Sequence, residues 1–287
     1  MQNTKSYKGW WYTMKKLDII SDNIKQQILK FLYQDEALNI FTIHYIENRM
    51  EDMGDLYIGY HGSSMTSIMH MKHDGHSYFT SFYTQTDLGL KAIAYQLKKI
   101  NKKNILLAGK AKDIKLILKE LKKQRDIKTN IFYRLNPSKF KKLPLNHEIS
   151  LIKATKSSED MNLIKDYLVG FFGVKTKEDI DHLTNERKIL EDMKNGLYFL
   201  LNQEGKKIGM SRFFGTTKHY IDITTVYIDE AYRGHGFGKE LMKLMVKESL
   251  MKGKLPITQT ALNNQVAKSI YESIGFEQVS DYAFEFL

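Results

Sequence analysis

The feature that most limits the fold is a strand-like run that leads through three alternating glycines into an amphipathic helical pattern, "TTVYIDEAYRGHGFGKELMKLMV". Glycine adopts positive φ without a steric penalty and lets a ligand approach the main chain closely. A helix that begins directly after such a loop presents unpaired N–H groups and the positive end of its dipole. Gly234, Gly236 and Gly238 therefore predict an anion site that suits a pyrophosphate.

Two other interpretations of this loop stay open: a structural strand-to-helix turn, and a dinucleotide-binding loop of the G-x-G-x-x-G kind. The dinucleotide loop belongs to a parallel sheet and is followed by an acidic residue on a second parallel strand. Here the neighbouring runs "GLYFLLNQEGKKIGMSRFFG" and "HYIDITTVYI" indicate an antiparallel hairpin and a third strand. The sequence therefore favours the pyrophosphate site over the dinucleotide loop.

The same order of elements is predicted twice along the chain. The first half begins with two helical patterns, over "SDNIKQQILKFLYQ" and residues 35–49. Three strands follow, the last two joined at Asp74-Gly75, and then a helix from Leu88 to about Ile100, the strand "NILLAG" and a helix over 112–123. This order predicts an antiparallel meander flanked by helices.

The second half repeats this order. "SSEDMNLIKDYLVGFF" and "TKEDIDHLTNERKILEDMK" each read as an amphipathic helix with a Ser/Thr cap. Three strands, a helix from about Gly238 to Met251, the strand "LPITQTAL", the helix "NNQVAKSIYESI" and a closing strand region complete the pattern. The predicted fold class is α+β (α/β), with two domains that each contain a mixed, mostly antiparallel sheet flanked by helices.

The stretch "RLNPSKFKKLPLNHE" is the best candidate for a domain boundary, because it holds two of the three prolines and few apolar residues. A chain of 287 residues also suits two domains better than one. We therefore predict domains over residues 1–145 and 146–287.

Composition excludes several classes. The chain has no cysteine, so disulfides and thiolate chemistry are absent. It has no apolar run of membrane-spanning length and no apolar segment after its polar, aromatic start, which predicts a cytoplasmic protein. The net charge of +11 arises in the first 147 residues, with 25 Lys+Arg against 13 Asp+Glu. Lysines at helical spacing among leucines favour a solvated helix face over a nucleic-acid surface.

The first half contains one group of histidines that could be considered as a metal site: His70, His73 and His76, with His61 upstream. His73 and His76 flank the Asp74-Gly75 turn, so the sequence favours exposed hairpin histidines and no metal site.

A second motif follows the glycine loop after about thirty residues. "NNQVAKSIYESIGF" places Asn264, Ala267 and Tyr271 at spacings of three and four, ahead of Gly275-Phe276. Together with the R-x-x-G-x-G of residues 233–238, this resembles the GCN5-related N-acetyltransferase (GNAT) superfamily, whose motifs have the forms Q/R-x-x-G-x-G/A and N-x-x-A-x-x-x-Y-x-x-x-G-F. The resemblance covers residues of roughly 150 to 287.

The resemblance implies acetyl-CoA as co-substrate and direct acetyl transfer to a primary amine in a ternary complex. The loop that precedes the helix would bind the pyrophosphate and the strand before it would pair through its backbone with the pantetheine arm. The implied cofactor-binding residues are Val226, Tyr227, Ile228, Arg233, Gly234, His235, Gly236, Phe237, Gly238, Lys239 and Asn264.

The resemblance also implies catalytic roles. Tyr271 matches the usual general acid, which protonates the departing CoA thiolate, and a phenol has a suitable pKa for that step. Asp222, where many relatives carry a glutamate, is the preferred candidate base, against a structural aspartate. His182, Glu186 and Glu191 compete for contacts with the acceptor, because the second helix usually borders the acceptor site.

The first half carries the topology but reads "TQTDLGLKAIAY" where the glycine motif would fall. It looks like a degenerate GNAT-like domain that would narrow the acceptor cleft, which favours a small-molecule amine. Two alternatives stay open: a transferase that uses aminoacyl-tRNA in place of acyl-CoA, and a non-catalytic acetyl-CoA sensor. The intact loop disfavours the first, and the retained Tyr271 disfavours the second.

Overall fold

The computed structural model describes residues 13–140, 143–146 and 148–287. The chain divides into two compact units: unit 1 holds residues 1–130 and 280–287, and unit 2 holds residues 131–279. Most of the polar, aromatic start of the chain, residues 1–12, lies outside the described residues. In the described part, no helix combines the length and the apolar character of a membrane span.

Unit 1 contains the strands and helices that the first half predicts, and one further strand, Met14–Lys16. They are β1 (Met14–Lys16), α1 (Asp22–Leu32), α2 (Ile40–Asn48), β2 (Asp55–His61), β3 (Ser64–His73), β4 (Tyr78–Thr84), α3 (Asp87–Ile100), β5 (Ile105–Lys110) and α4 (Ala111–Glu120). β1 to β4 pair antiparallel in sequence order, and β5 joins β4 in parallel after α3. The end of β12 (Phe276–Phe286) pairs antiparallel with β5.

Unit 2 repeats this order with additions. Its elements are β6 (Thr129–Leu135), α5 (Pro137–Phe140), β7 (Ser150–Lys153), α6 (Ser158–Phe172), α7 (Lys177–Leu183), α8 (Glu186–Asn195), β8 (Leu197–Leu201), β9 (Lys207–Thr216), β10 (Tyr220–Ile228), α9 (Phe237–Met251), β11 (Leu255–Ala261), α10 (Gln265–Ile274) and the start of β12. β7 to β10 pair antiparallel in order, and β11 joins β10 in parallel after α9. The mixed, mostly antiparallel architecture with flanking helices is confirmed.

Two predicted helices were wrong in detail. The helix expected over 35–49 is a 3-10 turn at Tyr33–Asp35 followed by α2, and the Asn39 side chain between them donates to the Leu32 carbonyl at 2.9 Å. The helix expected over "TKEDIDHLTNERKILEDMK" is split into α7 and α8, because Asn185 caps a new helix by accepting from the Lys188 N–H at 3.3 Å.

The polar stretch around residues 134–148 packs with unit 2 in its first part. Ile131, Tyr133, Leu135 and Phe140 belong to the same buried cluster as the inner face of α9. At the other end of the chain, Ala283 is buried in the core of unit 1. The domain boundary at 145 and 146 stays a prediction, and the compact units have the different bounds given above.

The lysines of the basic stretch lie exposed on helix faces. Lys98 and Lys99 are exposed on α3, as are Lys112, Lys115 and Lys119 on α4. The buried faces of both helices are apolar. The stretch therefore has the solvated faces that its spacing predicts.

The exposed-histidine prediction was wrong for His70. Its side chain is fully buried on β3, where Nε2 hydrogen-bonds the Met53 carbonyl. Its Nδ1 lies 3.5 Å from the Ser81 hydroxyl, which bonds Thr42 at 2.7 Å. The position along β3 explains the difference, because both faces of the strand are buried from Ser67 to Met71, whereas His73 at the strand end is exposed.

Burial lowers the pKa of His70 to about 4, below its ordinary value of 6.5. Between these pH values His70 is protonated in the unfolded chain but not in the folded chain. The free energy of unfolding therefore falls as the pH drops through this window. We expect the free energy of unfolding to decrease by about 3 kcal/mol between pH 6.5 and pH 4 from this group. Urea unfolding should show a smaller decrease in His70→Gln and an unchanged one in His73→Gln. If His70→Gln lost as much stability as the wild type over this pH range, His70 would not be the group responsible.

Candidate functional site

The two parallel strands of unit 2 separate soon after they meet. β10 pairs with β11 over three residue pairs, which end with Asp222 opposite Ile257. At the next step the Thr258 hydroxyl donates to the Ile223 carbonyl at 2.9 Å. In the described part of the chain the parallel register does not extend further, so the rest of β10 presents main-chain groups on this side.

Thr225 interrupts β10 as a β-bulge. The register with β9 shifts between Thr224 and Tyr227, and Thr225 has φ of +55°, which a β-branched residue rarely adopts. The extra residue reverses the alternation of side chains. Val226 and Ile228 therefore pack on the core that α9 shares, whereas Tyr227 packs against α6.

Arg212 of β9 anchors the bulge. Its Nε donates to Thr225 Oγ1 at 2.9 Å, and its guanidinium pairs with Asp192 of α8. The two charged side chains are only 14% and 11% exposed. Burial lowers the pKa of Arg212 to about 10, so it stays a cation at neutral pH. Sequence reasoning missed Arg212, Asp192 and Thr225, and the one signal was an arginine inside the apolar run "KIGMSRFFGT".

The turn from β10 into α9 leaves its main chain uncovered by side chains. Gly234 and Gly236 have φ of +84° and +80°, and a Cβ at either would meet nothing within 4 Å. Gly236 is the N-cap of α9 and offers no side-chain cap. Within the described residues, the main-chain N–H groups of residues 234–238 have no hydrogen-bond acceptor.

Gly238 differs from the other two glycines. The helix begins at Phe237, one residue earlier than predicted, so Gly238 lies inside its first turn. A Cβ there would make ordinary contacts, 3.5 Å from Ile270 and 3.8 Å from Ile228. The backbone therefore does not require this glycine, and what it provides is clearance beside α10.

The side chains of Arg233 and His235 bond to the main chain of the same loop and of β10. Arg233 donates from Nε to the Ile228 carbonyl at 3.0 Å, pairs with Glu230 at 3.1 Å and stacks 5.2 Å from the Tyr227 ring centroid. His235 is exposed and bonds the Arg233 carbonyl through Nδ1 at 2.9 Å. These contacts hold Arg233 beside the end of β10.

Tyr271 and Asp222 come together at the point where β10 leaves β11. Both are buried, with exposures of 6% and 5%. Burial raises the pKa of Tyr271, a hydrogen bond with the Thr258 side chain lowers it, and the Asp222 charge raises it. Tyr271 also packs edge to face on the Tyr133 ring at 5.7 Å, so it contributes to the core as well.

The Asp222 carboxyl is strongly affected by its surroundings. Burial raises its pKa to about 7, and the nearby Arg212 charge opposes the shift. A carboxyl with this pKa exchanges a proton at neutral pH, as a general base must. A buried titratable pair with raised pKa values is also typical of functional sites.

The remaining predicted residues lie elsewhere in unit 2. Asn264 is the N-cap of α10 and accepts from the Ala267 N–H at 3.1 Å, which leaves its exposed amide nitrogen as a donor. Glu186 and Glu191 line a groove of about 790 Å³ between α8 and residues 154–156. The residues that line this groove include none from β10, the glycine loop or α10. His182 lies on α7, 2.9 Å from Lys188 Nζ.

The equivalent turn in unit 1 is closed by its own side chains. Thr86 caps α3 by accepting from the Gly89 N–H at 3.1 Å. Thr84 Oγ1 accepts from the Thr86 N–H at 3.2 Å and donates to the Thr66 carbonyl at 2.8 Å. A Cβ on Gly89 would lie 2.0 Å from Thr84 Oγ1. The hydroxyls occupy the space that unit 2 leaves open.

Known proteins resemble both the local sequence and the fold. Residues 194–278 match the family described as an acetyltransferase (GNAT) domain. The chain is 28% identical over 94 residues to a UPF0039 protein of Schizosaccharomyces pombe, covering 33% of this chain and 63% of that protein. It is 28% identical over 71 residues to the N-alpha-acetyltransferase RimI of Mycobacterium tuberculosis, covering 25% and 44%. The matched part is less than two thirds of either relative.

The fold is also similar to that of a tandem GNAT protein from the clavulanic acid biosynthesis pathway. The TM-score is 0.61 at 13% identity, and the match covers 94% of this chain and 97% of that one. At this identity the likeness concerns the fold alone. The predicted fold class of two tandem GNAT-like domains is confirmed.

Arg212→Met leaves the Asp192 carboxylate buried without its cation, so we expect the free energy of unfolding to fall by about 3–5 kcal/mol. Combining Arg212→Met with Asp192→Leu removes both charges and should restore most of that loss. Urea denaturation measures both effects. An Arg212→Met variant as stable as the wild type would show that the pair does not anchor the bulge.

Proposed function

We propose that this chain, whose residues 194–278 match the acetyltransferase (GNAT) domain family, transfers an acetyl group from acetyl-CoA to a primary amine of a small molecule. The observation that carries the proposal is the β10–α9 turn, with two glycines at positive φ and five main-chain N–H groups without acceptors among the described residues. A pyrophosphate supplies the acceptors that those N–H groups need.

The separation of β10 from β11 supports the placement of the donor. An extended pantetheine arm can pair with the main chain of Val226 to Ile228 in the manner of an added strand. The bulge at Thr225 turns the Val226 and Ile228 side chains onto the core of α9, which fixes the main chain beside the gap. The thioester would then lie near Asp222 and Tyr271, where the gap begins.

The reaction then follows from the two buried titratable groups. Asp222 takes a proton from the ammonium of the acceptor, and the free amine attacks the thioester carbonyl. The N–C bond forms, the C–S bond breaks, and Tyr271 gives its proton to the departing thiolate. The acylated nitrogen loses its remaining surplus proton to solvent, and the Tyr271 phenolate takes a proton from solvent in return. Burial raises the pKa of Tyr271 and so keeps the phenol protonated until the thiolate appears.

Gly236→Glu should abolish acetyl-CoA binding, because it places a side chain and a negative charge at the mouth of α9. Gly253→Glu is the matched control, since Gly253 also has positive φ and open surroundings but lies after the C-terminus of α9. Calorimetric titration with acetyl-CoA measures both. Wild-type affinity in Gly236→Glu would refute the assignment of the loop.

Tyr271→Phe should lower kcat by roughly ten- to a thousandfold, the usual loss for a positioned acid, with little change in acetyl-CoA affinity. The thermal midpoint should stay close to that of the wild type, because the buried ring remains. Thiol release from acetyl-CoA over a panel of amines gives the rates. An unaltered kcat would leave Tyr271 with a packing role only, and release with no amine above hydrolysis would refute the transferase.

The pKa of Asp222, about 7, predicts a pH dependence of catalysis. Only the ionised carboxylate accepts a proton, so kcat should rise about tenfold per pH unit below pH 7 and level off above it. Asp222→Asn should lower kcat and remove this dependence. A wild-type profile in Asp222→Asn would assign the base to another residue.

A further inference from the structure

Two hydrogen-bond acceptors of unit 2 lack donors among the described residues. One is Gln259 Oε1 on β11, a buried atom without a hydrogen-bond partner. The other is the carboxylate of Asp222, a residue that is 5% exposed. Arg212 acts on Asp222 through its charge, but its own hydrogen bonds go to Thr225 and Asp192.

An unpaired buried acceptor is unfavourable. Leaving such a group without a donor costs about 1–3 kcal/mol, and native proteins rarely retain one without a reason. The unpaired Gln259 oxygen, with the Asp222 carboxylate on the neighbouring strand, therefore points to a ligand that brings donors.

Strand geometry places the two acceptors on one face. Asp222 lies opposite Ile257 in the parallel register, and Gln259 lies two residues further along β11. Side chains two residues apart share a face, so Gln259 shares the face of Asp222. Paired strands lie about 4.8 Å apart, and Gln259 is advanced about 6.6 Å along β11. The two positions are therefore at least about 8 Å apart, a span that two side chains and one small group can bridge.

Thr258, which precedes Gln259 on β11, points to the opposite face of the strand. Thr258 bonds the Ile223 carbonyl and the Tyr271 hydroxyl, which places the phenol on the opposite side of β11 from Gln259. The Asp222 and Gln259 side chains therefore flank the start of the gap between β10 and β11, and the candidate acid approaches from across it.

We propose that Asp222 and Gln259 together bind the ammonium group of the acceptor, an inference that rests on the proposed transferase function. A primary ammonium carries three N–H donors and no acceptor, which complements a carboxylate and an amide oxygen. Once Asp222 has taken one proton, the amine keeps an N–H bond to Gln259 Oε1 and its lone pair is free to attack.

The experiment compares Gln259→Leu and Gln259→Met with Gln265→Leu, an exposed glutamine at the start of α10. With n-butylamine as the probe, we expect the first two variants to raise the KM for the amine about ten- to a hundredfold, the usual effect of losing a hydrogen bond to a charged group. The Kd for acetyl-CoA should not change, and Gln265→Leu should behave as the wild type.

Stability separates binding from a structural role. Removing an unpaired acceptor should leave the thermal midpoint unchanged or raise it, whereas a structural Gln259 would lower it. If thiol release occurs and the amine KM is the same in Gln259→Leu, Gln259→Met and the wild type, the inference is overturned and the transferase stands.

Binding of n-butylamine can also be measured if the protein turns out not to catalyse acetyl transfer. With CoA present, n-butylamine should raise the thermal midpoint of the wild type and of Gln265→Leu but not of Gln259→Leu. That result without thiol release from any amine would support the ammonium site and refute the transferase. An equal rise in all three proteins would overturn the site.

Discussion

The site depends on the buried contacts that hold Thr225 in a conformation it would not otherwise adopt. Arg212 reaches Thr225 from β9 and is itself paired with Asp192 of α8, so a helix, a strand and the bulge are tied together. The bulge reverses the side-chain alternation of β10 and directs Val226 and Ile228 into the core of α9. Without that reversal Val226 and Ile228 would point to the face that Tyr227 now occupies. A buried ion pair is weak evidence for stability, and here its position supports a role in geometry.

The two units show how one topology can begin its helix with or without a side-chain cap. Each has an antiparallel meander that leads through a helix into a parallel strand. In unit 2 the N-cap of α9 is Gly236, which has no capping side chain. In unit 1 the N-cap of α3 is Thr86, whose hydroxyl accepts from the N–H of Gly89. Both helix starts present main-chain donors, and the threonine cap pairs one that the glycine cap leaves unpaired among the described residues.

Much of this arrangement was predictable from the sequence because local patterns determine it. The spacing of apolar residues predicted the strands and helices, and the turn residues predicted the hairpins. The glycine motif, with Asn264 and Tyr271, indicated the candidate acyl-CoA site. The break between α7 and α8 was missed because Asn185 acts as a cap only if the chain already turns there. The burial of His70 and the Arg212–Asp192 pair were missed for a different reason. Both depend on which strands and helices become neighbours, and residue spacing carries no information about a partner 20 positions away.

The central claim is that the β10–α9 turn of unit 2 binds the donor and that the β4–α3 turn of unit 1 does not. Calorimetric titration of the full chain with acetyl-CoA tests this most directly, because the stoichiometry counts the sites. The account predicts one molecule bound per chain. No binding, or two molecules per chain, would contradict it.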